Sequence, residues 1–144
     1  MSSETITQFY SDDHDRLDGL FETFRKLRTT EPDKAKNAFV EFKAGLEQHM
    51  AWEEAILFSE FDVRTPSEVG ESETTDLLNQ HEQIREHLEA VLRKIRENDP
   101  DVVKETDRLA TLLRDHNVEE ENGLYPRLDK LLTDEERADI HRQM

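Results

Sequence analysis

The chain has 144 residues, of which 38% are charged and 34% hydrophobic, and 35 acidic against 19 basic residues give a formal net charge of −16. This charge repels nucleic acid and anionic membrane surfaces, so neither is expected as a partner. The absence of cysteine excludes disulfides and thiolate metal sites. Without a signal peptide or a membrane-spanning apolar run, the sequence predicts one cytoplasmic, soluble, helical domain over residues 1–144.

Two helices are predicted in the first half of the chain. Residues 1–10 are expected to form a short arm or turn lying against the bundle, and Ser11 to cap a first helix over residues 12–28. A second helix is predicted over residues 32–60, with Pro32 in its first turn. Its inward seam follows steps of three and four residues: Phe39, Phe42, Leu46, His49, Glu53 and Ile56. An inward His and Glu are costly unless paired, hydrogen-bonded or metal-bound, so this seam indicates a buried polar site.

The second half repeats this plan after a long connection, predicted over residues 62–72, which contains Pro66 and Gly70. A third helix is predicted over residues 73–97, and Asp99-Pro100 marks the start of a fourth. The inward residues of these two helices are Leu77, His81, Ile84, Leu88, Val91 and Ile95, followed by Val102, Thr106, Leu109, Leu113, His116 and Glu120. Gly123 and Pro126 indicate a bend near the end of the fourth helix. A capping box of Thr133 and Glu136 predicts a short C-terminal helix over about residues 134–142.

An internal repeat relates the two halves by a shift of 67 residues. The shift carries each chemically distinctive residue onto its counterpart: His14 onto His81, His49 onto His116, Glu53 onto Glu120 and Glu54 onto Glu121. Two helical hairpins, about residues 11–60 and 73–130, are therefore predicted to pack as an up-down antiparallel four-helix bundle.

The repeat also predicts a two-metal site. Each hairpin supplies two inward His and one inward Glu, which gives the ligand set His14, His49, Glu53, His81, His116 and Glu120. Within each His-x-x-x-Glu motif, the two side chains leave the same helix face about one turn apart. Nitrogen and oxygen ligands suit iron, manganese or zinc. Three protein ligands per metal leave coordination positions for a water-derived bridge and for a reacting small molecule.

The same six residues resemble the motif of the hemerythrin-like, HHE cation-binding domains: His, His-x-x-x-Glu, His, His-x-x-x-Glu. The resemblance covers roughly residues 6–130. It implies a non-haem di-iron centre, oxo- or hydroxo-bridged, with zinc or manganese less favoured than iron. His14, His49, His81 and His116 would then be terminal ligands, and Glu53 and Glu120 bridging ligands. The resemblance further implies that the protein reacts with or senses dioxygen, peroxide or nitric oxide.

Two departures from known relatives separate the expected activities. Oxygen-carrying hemerythrins have a fifth His four residues after the third, where this sequence has Arg85. The four-His, two-Glu set looks more like the bacterial iron-centre repair proteins and related sensors, but those repair proteins usually carry an N-terminal cysteine-containing segment. The first hypothesis is a di-iron binding or sensing module, and the second an iron-centre repair or peroxide-consuming enzyme. The third is a zinc-stabilised, non-catalytic bundle.

Several residues near the motifs have two interpretations. Glu54 and Glu121 are expected to support the ligands or to face solvent, with direct ligation as the alternative. Tyr10 and Tyr125 are expected to pack at the end of the bundle, with a hydrogen bond to a ligand or to metal-bound oxygen as the alternative. Three further residues are expected to lie outside the chemistry: Trp52 in packing, and His87 and His141 at the surface.

Overall fold

The fold was examined in a computed structural model that describes the backbone of residues 4–65 and 67–144 and the side chains of residues 4–65 and 73–144. The α-helices in this part of the chain are α1 (Ile6–Leu27), α2 (Pro32–Trp52), α3 (Phe58–Arg64), α4 (Ser67–Arg96), α5 (Val102–Glu119), α6 (Tyr125–Leu131) and α7 (Asp134–Gln143). Two π-helical turns, Glu53–Leu57 and Glu120–Leu124, join α2 to α3 and α5 to α6. The prediction of an all-α helical bundle is confirmed.

The helices enclose two apolar clusters. α1 packs along α2 and α4 along α5, while α2 also contacts α4 and α1 contacts α6. The first cluster draws on α1, α2, α4 and α5 and includes Phe42 and Leu46. The second includes Leu57 and Leu124, the last residues of the two π turns, together with residues of α1, α3, α4, α6 and α7. Because His49 and Glu53 fall between Leu46 and Leu57, the polar motif forms a layer between the two clusters.

The first helix begins earlier than predicted. Thr5 is its N-cap, and the Thr5 hydroxyl accepts a hydrogen bond from the Gln8 backbone N–H at 3.0 Å. The expected N-cap, Ser11, lies inside α1, so that assignment is wrong. Ile6 and Tyr10 are fully buried, and their packing favours continuing the helix toward the N-terminus over starting it at the Ser11 signal.

The predicted second helix is interrupted by a π turn at Glu53 that shifts its inward face by one residue. The Phe58 backbone N–H bonds to the Glu53 carbonyl, five residues back, instead of four as in an α-helix. Ile56, predicted to face inward, is consequently only half-buried, and Leu57 is buried in its place. The second half has the same feature, because the Tyr125 N–H bonds to the Glu120 carbonyl.

The long connection predicted over residues 62–72 is wrong. α3 extends to Arg64 and α4 begins at Ser67, while Pro66 lies outside the described residues. Gly70 falls within α4. Most of the residues whose polar composition suggested a loop therefore lie in helices, because tertiary context overrides local propensity.

The helix boundaries in the second half of the chain differ less from the predicted ones. α5 starts at Val102 with Asp101 as N-cap, not at Asp99-Pro100; the Asp99 carboxylate instead accepts from the Asp101 N–H at 2.9 Å. The predicted C-terminal helix is confirmed as α7, and both hydrogen bonds of the Thr133–Glu136 capping box are present.

Candidate metal centre

The six residues predicted as metal ligands lie together in the polar layer. His14 comes from α1, His49 from α2, His81 from α4 and His116 from α5, while the two carboxylates stand at the starts of the π turns: Glu53 and Glu120. All six side chains are buried. Six buried polar groups in one layer must be satisfied by one another or by a bound group.

Each carboxylate approaches histidines from both halves of the chain. Glu53 Oε1 lies 3.5 Å from His49 Nε2 and 3.3 Å from His81 Nε2. Glu120 Oε1 lies 3.1 Å from His116 Nε2 and 3.4 Å from His14 Nε2. The two Glu side chains therefore link the hairpins at their common centre, as bridging groups would.

The arrangement fits cations. Two sets of ligand atoms each lie within 4.8 Å of one another, and they share Glu120: Glu53, His81, His116 and Glu120, and His14, His49 and Glu120. Three atoms at the centre are buried without a hydrogen bond to any described group: Glu53 Oε1, His81 Nε2 and Glu120 Oε2. Buried oxygen and imidazole nitrogen atoms that lack a partner are what a divalent cation would satisfy. The donor set suits iron, manganese or zinc.

The outer nitrogen of every histidine is held by a second side chain. His14 Nδ1 pairs with Glu121 Oε2 at 3.0 Å, and its repeat counterpart His81 pairs with Glu54 Oε2 at 2.6 Å. These bonds fix the rings so that Nε2 faces the centre. Glu54 and Glu121 thus orient histidines, in agreement with their expected supporting role.

The second pair of supports differs between the halves. His49 Nδ1 pairs with Asp13 Oδ2 at 2.8 Å, whereas His116 Nδ1 pairs with the amide oxygen of Gln80 at 2.6 Å. Asp13 and Gln80 occupy equivalent places in the repeat. One imidazole is therefore backed by a carboxylate and the other by a neutral amide, which makes the two ligand sets electronically different.

Ionisation in the layer follows from these contacts. Burial alone would lower the pKa of His49, but Glu53 and Asp13 raise it to about 10. Burial also opposes ionisation of His81, whose pKa the carboxylates of Glu120, Glu53 and Glu54 raise to about 11. Although burial favours its neutral form, Glu120 has a pKa well below the usual range because of the neighbouring histidines. Without a bound cation, the ionised carboxylate of Glu120 thus lies among histidines of which His49 and His81 are protonated at neutral pH.

Tyr125 places a phenol hydroxyl inside this layer. Its Oη donates to Glu53 Oε2 at 2.6 Å and lies 3.0 Å from Glu120 Oε1, 3.3 Å from His49 Nε2 and 3.4 Å from His14 Nε2. Burial and the two carboxylates raise the pKa of this phenol well above its usual value. Of the two interpretations of Tyr125, contact with the ligands is the one observed.

The family assignment agrees with this geometry. Residues 5–128 match the family model of the hemerythrin HHE cation-binding domain. The chain belongs to this family. No curated protein and no solved structure matches the chain significantly. Within the described residues of this hemerythrin HHE domain, no helix combines the length and apolar character needed to cross a membrane.

The remaining predictions for this hemerythrin HHE domain concern residues outside the layer. His87 pairs with Glu105 at 2.7 Å, away from the ligands, and His141 Nε2 contacts the Glu4 carbonyl at 2.8 Å. Trp52 packs against Phe9 with ring centroids 6.2 Å apart, as expected for a packing residue.

Two functional neighbours, Asp13 and Gln80, were not predicted, and the contact of Tyr125 with the ligands was predicted only as the less favoured alternative. A usable signal existed for the first two, since each immediately precedes a repeat-related histidine, His14 or His81. Tyr125 was harder to find because it lies five residues after Glu120. An α-helix turns such a residue away from the shared face, but a π turn restores it.

Proposed function

We propose that this domain binds two iron ions in an up-down four-helix bundle and reacts with dioxygen or a related small molecule such as peroxide or nitric oxide. One ion would be held by His14 and His49 and the other by His81 and His116, with Glu53 and Glu120 shared. The observation that carries the proposal is the convergence of four oriented Nε2 atoms on two carboxylates that each approach both hairpins.

Iron is favoured over zinc for two reasons. The six residues reproduce the His, His-x-x-x-Glu, His, His-x-x-x-Glu pattern on which the resemblance rests, and that resemblance implies a non-haem di-iron centre. With Glu53 and Glu120 shared, each ion would have four protein ligands, which closes a tetrahedral zinc site but leaves positions open on an iron that takes five or six ligands. When bound, a pair of irons supplies electrons and a binding position for a small oxidant.

The chain's own groups would control protons and water at this centre. The Tyr125 phenol stays protonated, because its pKa is raised, and its hydroxyl lies within hydrogen-bond distance of both carboxylates. It can therefore donate a hydrogen bond to a group bound between them. The apolar clusters on either side exclude bulk water, which strengthens the electrostatic interactions of the layer.

A second candidate, a peroxide-consuming or iron-centre repair enzyme, gains support from Tyr125. A protonated, oxidisable phenol against the carboxylates suits a reaction that consumes protons, whereas simple reversible oxygen binding does not need one.

The test is visible absorption of anaerobically iron-loaded protein before air, after air and after purging. A band that reverses on purging supports reversible oxygen binding. A band that persists supports an oxidative enzyme, and the Tyr125→Phe variant should then form it more slowly. Tight zinc binding with no iron-dependent band would contradict the proposed chemistry and leave a zinc-stabilised bundle.

A further inference from the structure

The internal repeat allows two equivalent solvent-facing sides of the ligand layer to be compared, and these two sides differ. The 67-residue shift maps α1 onto α4 and α2 onto α5. The α1–α5 side of the layer is therefore equivalent to the α4–α2 side. Any difference in access to the ligands between these two sides must come from positions at which the two repeat sequences differ.

The α2–α4 side is closed by side chains. The Arg85 guanidinium donates to Glu54 Oε2 at 2.6 Å, over the carboxylate that holds His81. Further along, Lys43 of α2 pairs with Glu89 of α4 at 2.8 Å. Met50 is buried in the first apolar cluster. The two ion pairs thus link α4 to α2 and to the turn that follows it, and Met50 fills core space between the helices.

The α1–α5 side has a groove where those closing residues are replaced. The repeat puts Asp18 in place of Arg85, Ala110 in place of Lys43 and Asn117 in place of Met50. All three line a groove of about 620 Å³, which extends to Glu121, the carboxylate that holds His14. Asp18 makes no ion pair or hydrogen bond with any described side chain, and it lies near the like charge of Glu121. Asn117 Oδ1 is buried without a hydrogen-bond partner in the described part of the protein.

The carboxylates that support the ligands differ in exposure in the same sense. All four ligand histidines are buried, at 4% exposure or less. Glu121, which lines the groove and holds His14, has a side-chain exposure of 37%, against 27% for Glu54, its counterpart on the α2–α4 side. The groove therefore reaches a carboxylate that contacts a ligand histidine.

We propose that the α1–α5 groove is the passage through which divalent cations reach the ligand layer, with Asp18 and Asn117 keeping it open and hydrated. This inference rests on the proposed metal-binding function. The cationic preference follows from the charges: of the two arginines that line the groove, Arg25 pairs with Glu22 and Asp107 and Arg114 with Asp115, so neither pairs with Asp18 or Glu121. Carboxylates along a confined groove raise the local concentration of cations and speed their capture.

The experiment gives two groove positions the residues that the repeat has at the equivalent positions of the closed α2–α4 side. Metal-free wild type, Asp18→Arg and Asn117→Met are mixed with Co²⁺ in a stopped-flow instrument, and the cobalt absorption band is followed. Arg85→Asp is the matched control, because it makes the reciprocal change on the other side. Circular dichroism and the thermal midpoint identify the variants that keep the fold.

Asp18→Arg should take up Co²⁺ about tenfold more slowly or worse, because it reverses a charge beside the passage. Asn117→Met should also be slower, since it fills the groove without changing its charge, and both should reach the wild-type endpoint. Arg85→Asp should not be slower than wild type. If either groove variant takes up Co²⁺ at the wild-type rate, or if Arg85→Asp is slowed equally, the groove is not the passage. The metal site would still stand in that case, because the amount of Co²⁺ bound at the end of the reaction would be unchanged. A wild-type chain that binds no cation at equilibrium would overturn the proposed function and the passage with it.

Discussion

The Tyr125 hydroxyl donates a hydrogen bond of 2.6 Å to Glu53 Oε2, so a phenol of the second hairpin contacts a carboxylate of the first. Its counterpart in the repeat, Phe58, has no hydroxyl and instead stacks on His81 with ring centroids 5.4 Å apart. The two hairpins thus supply matching ligands but different neighbours. The His14–His49 side has a proton donor, and the His81–His116 side has an apolar ring.

Removing this hydroxyl should destabilise the metal-free protein. Tyr125→Phe removes the hydroxyl that donates to Glu53 and lies 3.0 Å from Glu120, at a cost of about 1–3 kcal/mol in the free energy of unfolding. Tyr10→Phe is the matched control, because among the described residues the Tyr10 hydroxyl hydrogen-bonds only to the Met144 sulfur, at 2.8 Å, and sulfur is a weak acceptor. Urea denaturation in the presence of a chelator measures both. Equal stabilities for the two variants would contradict the role given to Tyr125.

Each ligand histidine should be needed for metal retention, and the other histidines should not. His49→Ala and His116→Ala each remove one Nε2 from a different ligand set, so both should bind less metal and unfold at a lower temperature. His87→Ala should keep the wild-type metal content, since His87 pairs with Glu105 outside the layer. Elemental analysis after equilibration with Fe²⁺ under anaerobic conditions distinguishes these outcomes. If either ligand variant keeps the full metal content of the wild type, the substituted histidine is not a ligand.

The difference between Asp13 and Gln80 should make the two metal positions unequal in affinity. Asp13→Asn keeps the shape of the side chain but removes the charge behind His49, and should weaken one binding step by about 10–100-fold. The reciprocal change, Gln80→Glu, should tighten the other step. Calorimetric titration with a divalent cation resolves the two steps. If Asp13→Asn titrates like wild type, the support of His49 is structural only.

The metal-free protein should lose stability as the pH rises above neutrality. The pKa values of His49 and His81 are raised in the folded state to about 10 and 11, against an ordinary value near 6.5. Their protonated forms therefore stabilise the fold fully below about pH 6.5, and this contribution declines until it is lost near pH 11. Thermal midpoints in chelator between pH 6 and 10 test this, with His81→Asn as the control expected to show a shallower decline. A wild-type midpoint that rises over this range would contradict the assigned pKa shifts.

The repeat explains how much of this site the sequence could predict. His14, His49, His81 and His116 converge because a 3.6-residue period places them on inward faces, and the 67-residue shift places them at equivalent levels. What periodicity could not predict was the π turn after each His-x-x-x-Glu motif. It buries Leu57 in place of Ile56 and brings Tyr125 to the ligands, although neither effect follows from α-helical spacing.

Helix ends were less predictable than helix faces, for a related reason. Ser11 has the chemistry of an N-cap, but burial of Ile6 and Tyr10 extends α1 past it to Thr5. Local capping signals contribute about 1 kcal/mol, and burying a large apolar side chain contributes about 1.5–3 kcal/mol. Where the two compete, tertiary packing decides the boundary.

The most direct test of the central claim is anomalous X-ray scattering at the iron edge from a crystal of the iron-loaded protein. We expect two peaks about 3.5 Å apart, one beside His14 and His49 and the other beside His81 and His116, with Glu53 and Glu120 between them. A single peak, or peaks away from this layer, would contradict the assignment of a two-iron centre to these six residues.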